Sequence, residues 1–128
     1  MENHQRQEAV DYLKAARGGF GRPEKFTAES VFQLTALAIE GFWLAFLAEK
    51  GEVPAHHAFR DLVKAAEAVT PLPEDLKTEV RALDRYQSLC VWLPIEPKKP
   101  VRDDIPGLLE LAGRVEAFTA GAASSSPQ

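Results

Sequence analysis

Apolar positions recur with a helical period along most of this chain, and one stretch is apolar almost all round. Residues Val31–Ala48 read VFQLTALAIEGFWLAFLA, broken only by Gln33, Thr35 and Glu40. A helix of that kind has to be wrapped by other helices or by lipid. Its ends are marked. Thr27 stands where its hydroxyl caps the free N–H groups of a first turn, and Glu29 complements the helix dipole. Gly51, after Lys50, is a left-handed stop. The pattern therefore predicts a long helix from Thr27 to Gly51. Glu29, Gln33 and Glu40 fall on one narrow stripe of it. Phe32, Leu34, Ile39, Phe42, Trp43, Phe46 and Leu47 are left to meet neighbours on several sides.

Amphipathic segments surround this helix. Ala9, Tyr12, Leu13 and Ala16 predict a first helix over Asn3–Arg17, ended by Gly18, Gly19 and Gly21. Phe59, Leu62, Val63 and Ala66 predict a third over His57–Val69, which Thr70-Pro71-Leu72-Pro73 breaks. A fourth is predicted from Pro73 to Trp92, with proline in its first turn and Glu74-Asp75 behind it. Leu76, Val80, Leu83 and Cys90 share one side of it. LPIEPKKPVRDDIP carries four prolines, so it is a connector. Leu108, Leu111, Val115 and Phe118 predict a fifth helix over Asp104–Gly121. The tail AASSSPQ has nothing to bury and is expected to be disordered. No β-branched run suggests a strand. The expected fold is all-α: an up-and-down bundle of four to five helices, one domain over residues 1–121 and a tail over 122–128.

The membrane alternative for Val31–Ala48 is the weaker one. Eighteen residues sit at the short edge of a span. Glu40 near its centre would cost roughly 2.5–3.5 kcal/mol on insertion scales. Composition points the same way, since 27% charged residues is ordinary for a globular protein. The N-terminal MENHQRQEAVDYL lacks the apolar core of a signal peptide. Cys90 is the only cysteine, so no intramolecular disulfide forms. The expectation is a cytoplasmic protein that does not engage a membrane. A net charge of −4 argues against a general nucleic-acid binder, although a local basic patch is compatible with it.

Chemical signatures are sparse. Lys77, Arg81 and Arg85 recur at i, i+4 and i+8, a basic row able to hold phosphate, or a solvated face balanced by Glu74 and Asp84. Glu40 is a carboxylate in an apolar helix that requires a partner, and Arg81 or Arg85 is a candidate. His56 and His57 are adjacent and diverge on a helix, and neither HExxH nor CxxC is present, so no metal site is expected. Cys90, between Leu89, Val91 and Trp92, reads as a buried inert thiol. Lys98, Lys99 and Arg102 are offset by Glu96, Asp103 and Asp104 and read as linker. Phe42, Trp43 and Phe46 suit core packing or a dimer interface.

The order of elements resembles the HEPN superfamily of small helical bundles. The resemblance is carried by AVDYLKAAR (Ala9–Arg17), FTAESVFQLTALAIEGFWLAFLAEKGEVP (Phe26–Pro54), HHAFRDLVKAAEAV (His56–Val69) and LDRYQSLCVWLP (Leu83–Pro94). Ala36 and Glu40 match the family's Ala-x-x-x-Glu on the long helix. Gly51, His56 or His57, and Leu62 match the turn and third helix, and Tyr86 and Pro94 match the fourth. The resemblance implies a four- to five-helix bundle, often a homodimer. It implies an activity among RNases, partners of minimal nucleotidyltransferases, and nucleotide- or RNA-binding modules. RNase members carry Arg followed four to six residues later by His. Here no histidine follows Arg81 or Arg85, and no Arg stands at that distance before His56 or His57. The chain also has Cys-Val-Trp-Leu-Pro where some members have Arg-Tyr-Pro. The expectation is thus a non-catalytic binding module, a homodimer without cofactor, for a nucleotide, RNA or a nucleotidyltransferase-type protein. Its candidate ligand residues are Lys77, Arg81, Arg85, Glu40 and Tyr86. A degenerate metal-independent RNase and a purely structural adaptor are the alternatives.

Overall fold

A computed structural model describes residues 4–55, 58–86 and 99–124. The fold is an all-α helical bundle, without a strand among the described residues. Among the described residues five α-helices occur in chain order: α1 (His4–Phe20), α2 (Ala28–Glu49), α3 (Phe59–Glu67), α4 (Glu74–Arg81) and α5 (Ile105–Ser124). Short 3₁₀ helices span Ala82–Tyr86 after α4 and Arg102–Asp104 before α5.

The long apolar helix is the centre. It packs against α1, α5 and α3. Val31, Ile39, Phe42, Trp43 and Leu47 have no exposed surface, and Phe32 and Phe46 almost none. By length and composition α2 is apolar enough to cross a membrane, but 61% of that stretch is buried inside the bundle. Its caps follow the sequence. Ser30 N–H donates to Thr27 Oγ1 at 3.0 Å. At the other end Gly51 adopts φ +78°. Gly51 N–H reaches Ala48 O at 3.1 Å and Glu52 N–H reaches Leu47 O at 2.8 Å, the paired bonds of a Schellman stop. The two buried threonines satisfy their hydroxyls within their own helices, Thr35 on Val31 O at 2.8 Å and Thr119 on Val115 O at 2.9 Å. Trp43 carries the one buried side-chain N–H without an acceptor among the described residues.

Helices α1 and α2 form an antiparallel hairpin with very close backbones. A Cβ added at Gly41 would lie 2.9 Å from Ala9 Cβ, so Gly41 is required by contact rather than by its dihedral angles. Two arginines fasten α5 along α1. Arg6 donates to Thr119 Oγ1 and to Glu116 O, each at 3.0 Å, with its guanidinium 5.2 Å above the Phe42 ring. Arg102 donates to Phe20 O and lies 4.7 Å over the Phe20 ring. Early α1 thus meets late α5 and late α1 meets the start of α5, so these two helices are antiparallel. Phe118 of α5 sits with its ring 6.0 Å from Trp43 and 6.4 Å from Phe46.

Several boundaries differ from the sequence pattern. Gly18 and Gly19 do not end α1, which continues to Phe20. The Phe26 ring lies 3.0 Å from where a Gly19 Cβ would be, so packing holds this glycine in the helix. The α-geometry of the fourth helix stops at Arg81 and tightens to 3₁₀ over Ala82–Tyr86. The fifth helix runs three residues beyond Gly121 into the segment expected to be tail. Arg102 is a clamp on α1 rather than a linker residue. The predictions for His56, His57, Cys90, Trp92, Pro94, Lys98 and residues 125–128 lie outside the described residues.

Gly41→Ala is expected to destabilise the fold. The added methyl meets Ala9, and overpacking of roughly 1–3 kcal/mol is set against a helix-propensity gain of about 1 kcal/mol, leaving a net loss of up to about 2 kcal/mol. Denaturant unfolding of the two proteins measures it, and an unchanged midpoint would refute the close contact.

Candidate ligand-binding surface

The basic row starts on α4. Lys77 is only 16% exposed at its side chain and is held between two carboxylates, Glu67 Oε2 at 2.6 Å and Glu74 Oε1 at 3.1 Å. Its partner Glu67 belongs to α3, so this pair ties α3 to α4. The Glu67 hydrogen bond, followed by that of Glu74, holds the Lys77 ammonium above its ordinary pKa. The same hydrogen bond from Lys77 holds the Glu67 carboxyl below its own. Arg81 leans on Glu74 at 3.9 Å.

Arg85 leaves the row for a geometric reason. In an α-helix four residues turn about 400°, which stacks i and i+4, whereas four residues of 3₁₀ helix turn about 480°. The change at Ala82 rotates Arg85 off the Lys77–Arg81 line and toward α5. There its Nε donates to Ala82 O at 3.0 Å. Together with Glu79, Tyr86, Asp104, Leu108 and Leu111 it lines an open cleft of about 230 Å³ between this 3₁₀ helix and α5. Two carboxylates therefore share the cleft with one guanidinium. Glu79 is also engaged by Arg114 of α5 at 2.7 Å, and Arg114 reaches Asp75 at 2.9 Å. Asp104 accepts from Val101 N–H at 3.1 Å, which closes the turn into α5.

Tyr86 packs its ring 4.8 Å from Phe32 on α2. Glu40 is half-buried and stands eight residues farther along α2, about 12 Å of helix rise from Phe32. The structure thus brings Arg85 and Tyr86 together, and Lys77 with Arg81, but places Glu40 on a different part of the bundle. The pairing expected between Glu40 and Arg81 or Arg85 is replaced by Arg81 on Glu74 and Arg85 on Ala82 O. Among the described residues no three His, Cys, Asp or Glu side chains converge to hold a metal ion.

Asp84 has a role that residue spacing did not reveal. Helix α3 begins after Ala58, which has no side chain able to cap it. Asp84 supplies the cap from 25 residues away. Its Oδ1 accepts from Phe59 N–H at 2.9 Å, and its Oδ2 accepts from Arg60 N–H at 3.0 Å. The Arg60 guanidinium adds a looser contact at 3.5 Å. A carboxylate on the first free amides of a helix is favoured both by hydrogen bonding and by the dipole. The sequence signal available was negative: a helix starting at Ala58-Phe59 lacks a local cap.

Compared with known proteins, the chain matches no family model, no curated protein and no solved structure.

Two outcomes test this surface. Asp84→Ala should lower stability by about 1–2 kcal/mol, since two amide donors of α3 lose their acceptor. Chemical denaturation measures that loss, with Asp84→Asn expected to retain part of the cap. The Lys77–Glu67 pair sets a pH dependence. Because the Glu67 pKa is lowered on folding, its contribution is present above the ordinary carboxylate range and lost as pH falls through the lowered value. Because the Lys77 pKa is raised, the pair persists upward until pH passes the ordinary lysine range. Melting temperatures of wild type and Glu67→Gln should converge in acid and separate near neutrality. A constant gap would overturn the assignment.

Proposed function

We propose that this chain is a non-catalytic, HEPN-like helical binding module and that its partner is another protein rather than a nucleotide or RNA. One observation carries the choice: the cations of the phosphate-binding candidate already have carboxylate company. Lys77 sits between Glu67 and Glu74, and Arg81 leans on Glu74. Arg85 shares its cleft with Glu79 and Asp104. A phosphate entering here would displace those carboxylates and then remain beside them. Like charges at such distances oppose binding, and the chain's net charge of −4 adds to the opposition. The family resemblance is in keeping with this reading, since HEPN proteins include partners of minimal nucleotidyltransferases as well as nucleotide-binding members.

Thermal unfolding of the purified protein with a panel of nucleoside mono-, di- and triphosphates separates the classes. A ligand present at a hundred times its Kd stabilises by about 2.7 kcal/mol, a rise of several degrees for a domain of this size. The expected outcome is no rise with any nucleotide, and no cleavage of generic RNA in the same preparation. A rise abolished by Arg81→Ala with Arg85→Ala would establish the nucleotide reading instead, and RNA cleavage would establish the RNase one.

A further inference from the structure

The cleft between the 3₁₀ helix after α4 and the start of α5 holds two opposite charges that have no ionic partner. Arg85, exposed, comes from the first wall, and Asp104, half-buried, from the second. The third charged residue, Glu79, is answered by Arg114 at 2.7 Å. Among the described residues no carboxylate pairs with Arg85 and no cation with Asp104. Each is nevertheless held by a backbone group. Arg85 Nε donates to Ala82 O at 3.0 Å, and Asp104 Oδ2 accepts from Val101 N–H at 3.1 Å. The Nη1 and Nη2 groups of the guanidinium and Oδ1 of the carboxylate are left for other groups. Charges fixed before a ligand arrives bind it with less loss of conformational freedom.

The remaining lining is mostly apolar. Leu83, Leu108 and Leu111 supply an aliphatic floor. Gly107 belongs to the α5 wall, and a Cβ added there would meet nothing within 4 Å. The volume of about 230 Å³ lies below the roughly 300–1,000 Å³ of pockets for drug-sized ligands, so the cleft suits a smaller molecule. A ligand of single charge is poorly served here. Whichever of Arg85 and Asp104 it satisfies, it stands near a like charge on the other. A molecule that carries both charges and an aliphatic body satisfies all three features together.

We propose that this cleft binds a free aliphatic amino acid. The α-carboxylate lies on the Nη groups of Arg85, a charge-assisted contact of the kind guanidinium groups make with carboxylates. The α-ammonium donates to Asp104 Oδ1, and the side chain covers Leu83, Leu108 and Leu111. The proposal goes beyond the protein-partner reading and does not depend on it.

The test titrates leucine into the full chain and follows the backbone amide chemical shifts. Saturable shifts are expected at Gly107 and Leu108. Leucinamide lacks the carboxylate and N-acetylleucine lacks the ammonium, and each should bind roughly tenfold more weakly or worse. Arg85→Gln should erase the preference for leucine over leucinamide. Asp104→Asn keeps an acceptor for Val101 N–H and should erase the preference over N-acetylleucine. A merely structural role for either residue would weaken all three ligands alike. Gly107→Leu places a side chain in the open space of the cleft. It should weaken leucine binding roughly tenfold or more while keeping or raising the melting temperature, since glycine is a poor helix former. Absence of saturable shifts with leucine would overturn the proposal, as would unaltered binding by Gly107→Leu. Tighter binding of N-acetylleucine would make the cleft an anion site on Arg85, and tighter binding of leucinamide a cation site on Asp104; either result overturns it. None of these outcomes bears on the nucleotide panel, which tests the protein-partner reading separately.

Discussion

The burial of α2 is the constraint on which everything else hangs. Its aromatic and aliphatic side chains project in nearly every direction, and each fully buried one is worth about 1.5–3 kcal/mol. No single partner helix can cover so wide an arc, so α1, α5 and α3 must all pack on it. Close approach to α1 is possible because Gly41 meets Ala9, and a larger side chain at either site would push the hairpin apart. Phe118 then fills the space beside Trp43 and Phe46, which fixes how far along α2 the last helix sits.

Around this apolar centre, long-range polar contacts hold the elements in place. Arg6 and Arg102 join opposite stretches of α1 and α5, each combining carbonyl hydrogen bonding with stacking on a phenylalanine. Asp84 caps α3 from the segment after α4, and Lys77 with Glu67 links the same two regions. The short α3 and α4 depend on such contacts more than on propensity, since isolated helices of that length are marginal in water. The same contacts use up charge that would otherwise be offered to a ligand. Arg114, Lys77 and Arg81 are all matched to acidic neighbours on α3 or α4.

Sequence pattern by itself determined the helix content, the centrality of α2 and most of the inward positions, because apolar periodicity and burial follow the same 3.6-residue repeat. It also determined local caps, as at Thr27 and Gly51, where donor and acceptor lie within one turn. Candidate ligand residues were legible only as residue types. Lys77, Arg81 and Arg85 form a row if the helix is regular, and the shift to 3₁₀ geometry at Ala82 breaks that row. Only the tertiary structure decided that Gly19 stays helical under Phe26, that Asp84 serves α3, and that Arg102 belongs to α1. It alone separated Glu40 from Arg81 and Arg85. Each of these depends on groups far apart in the chain being brought within contact distance, and periodicity holds no record of such distances.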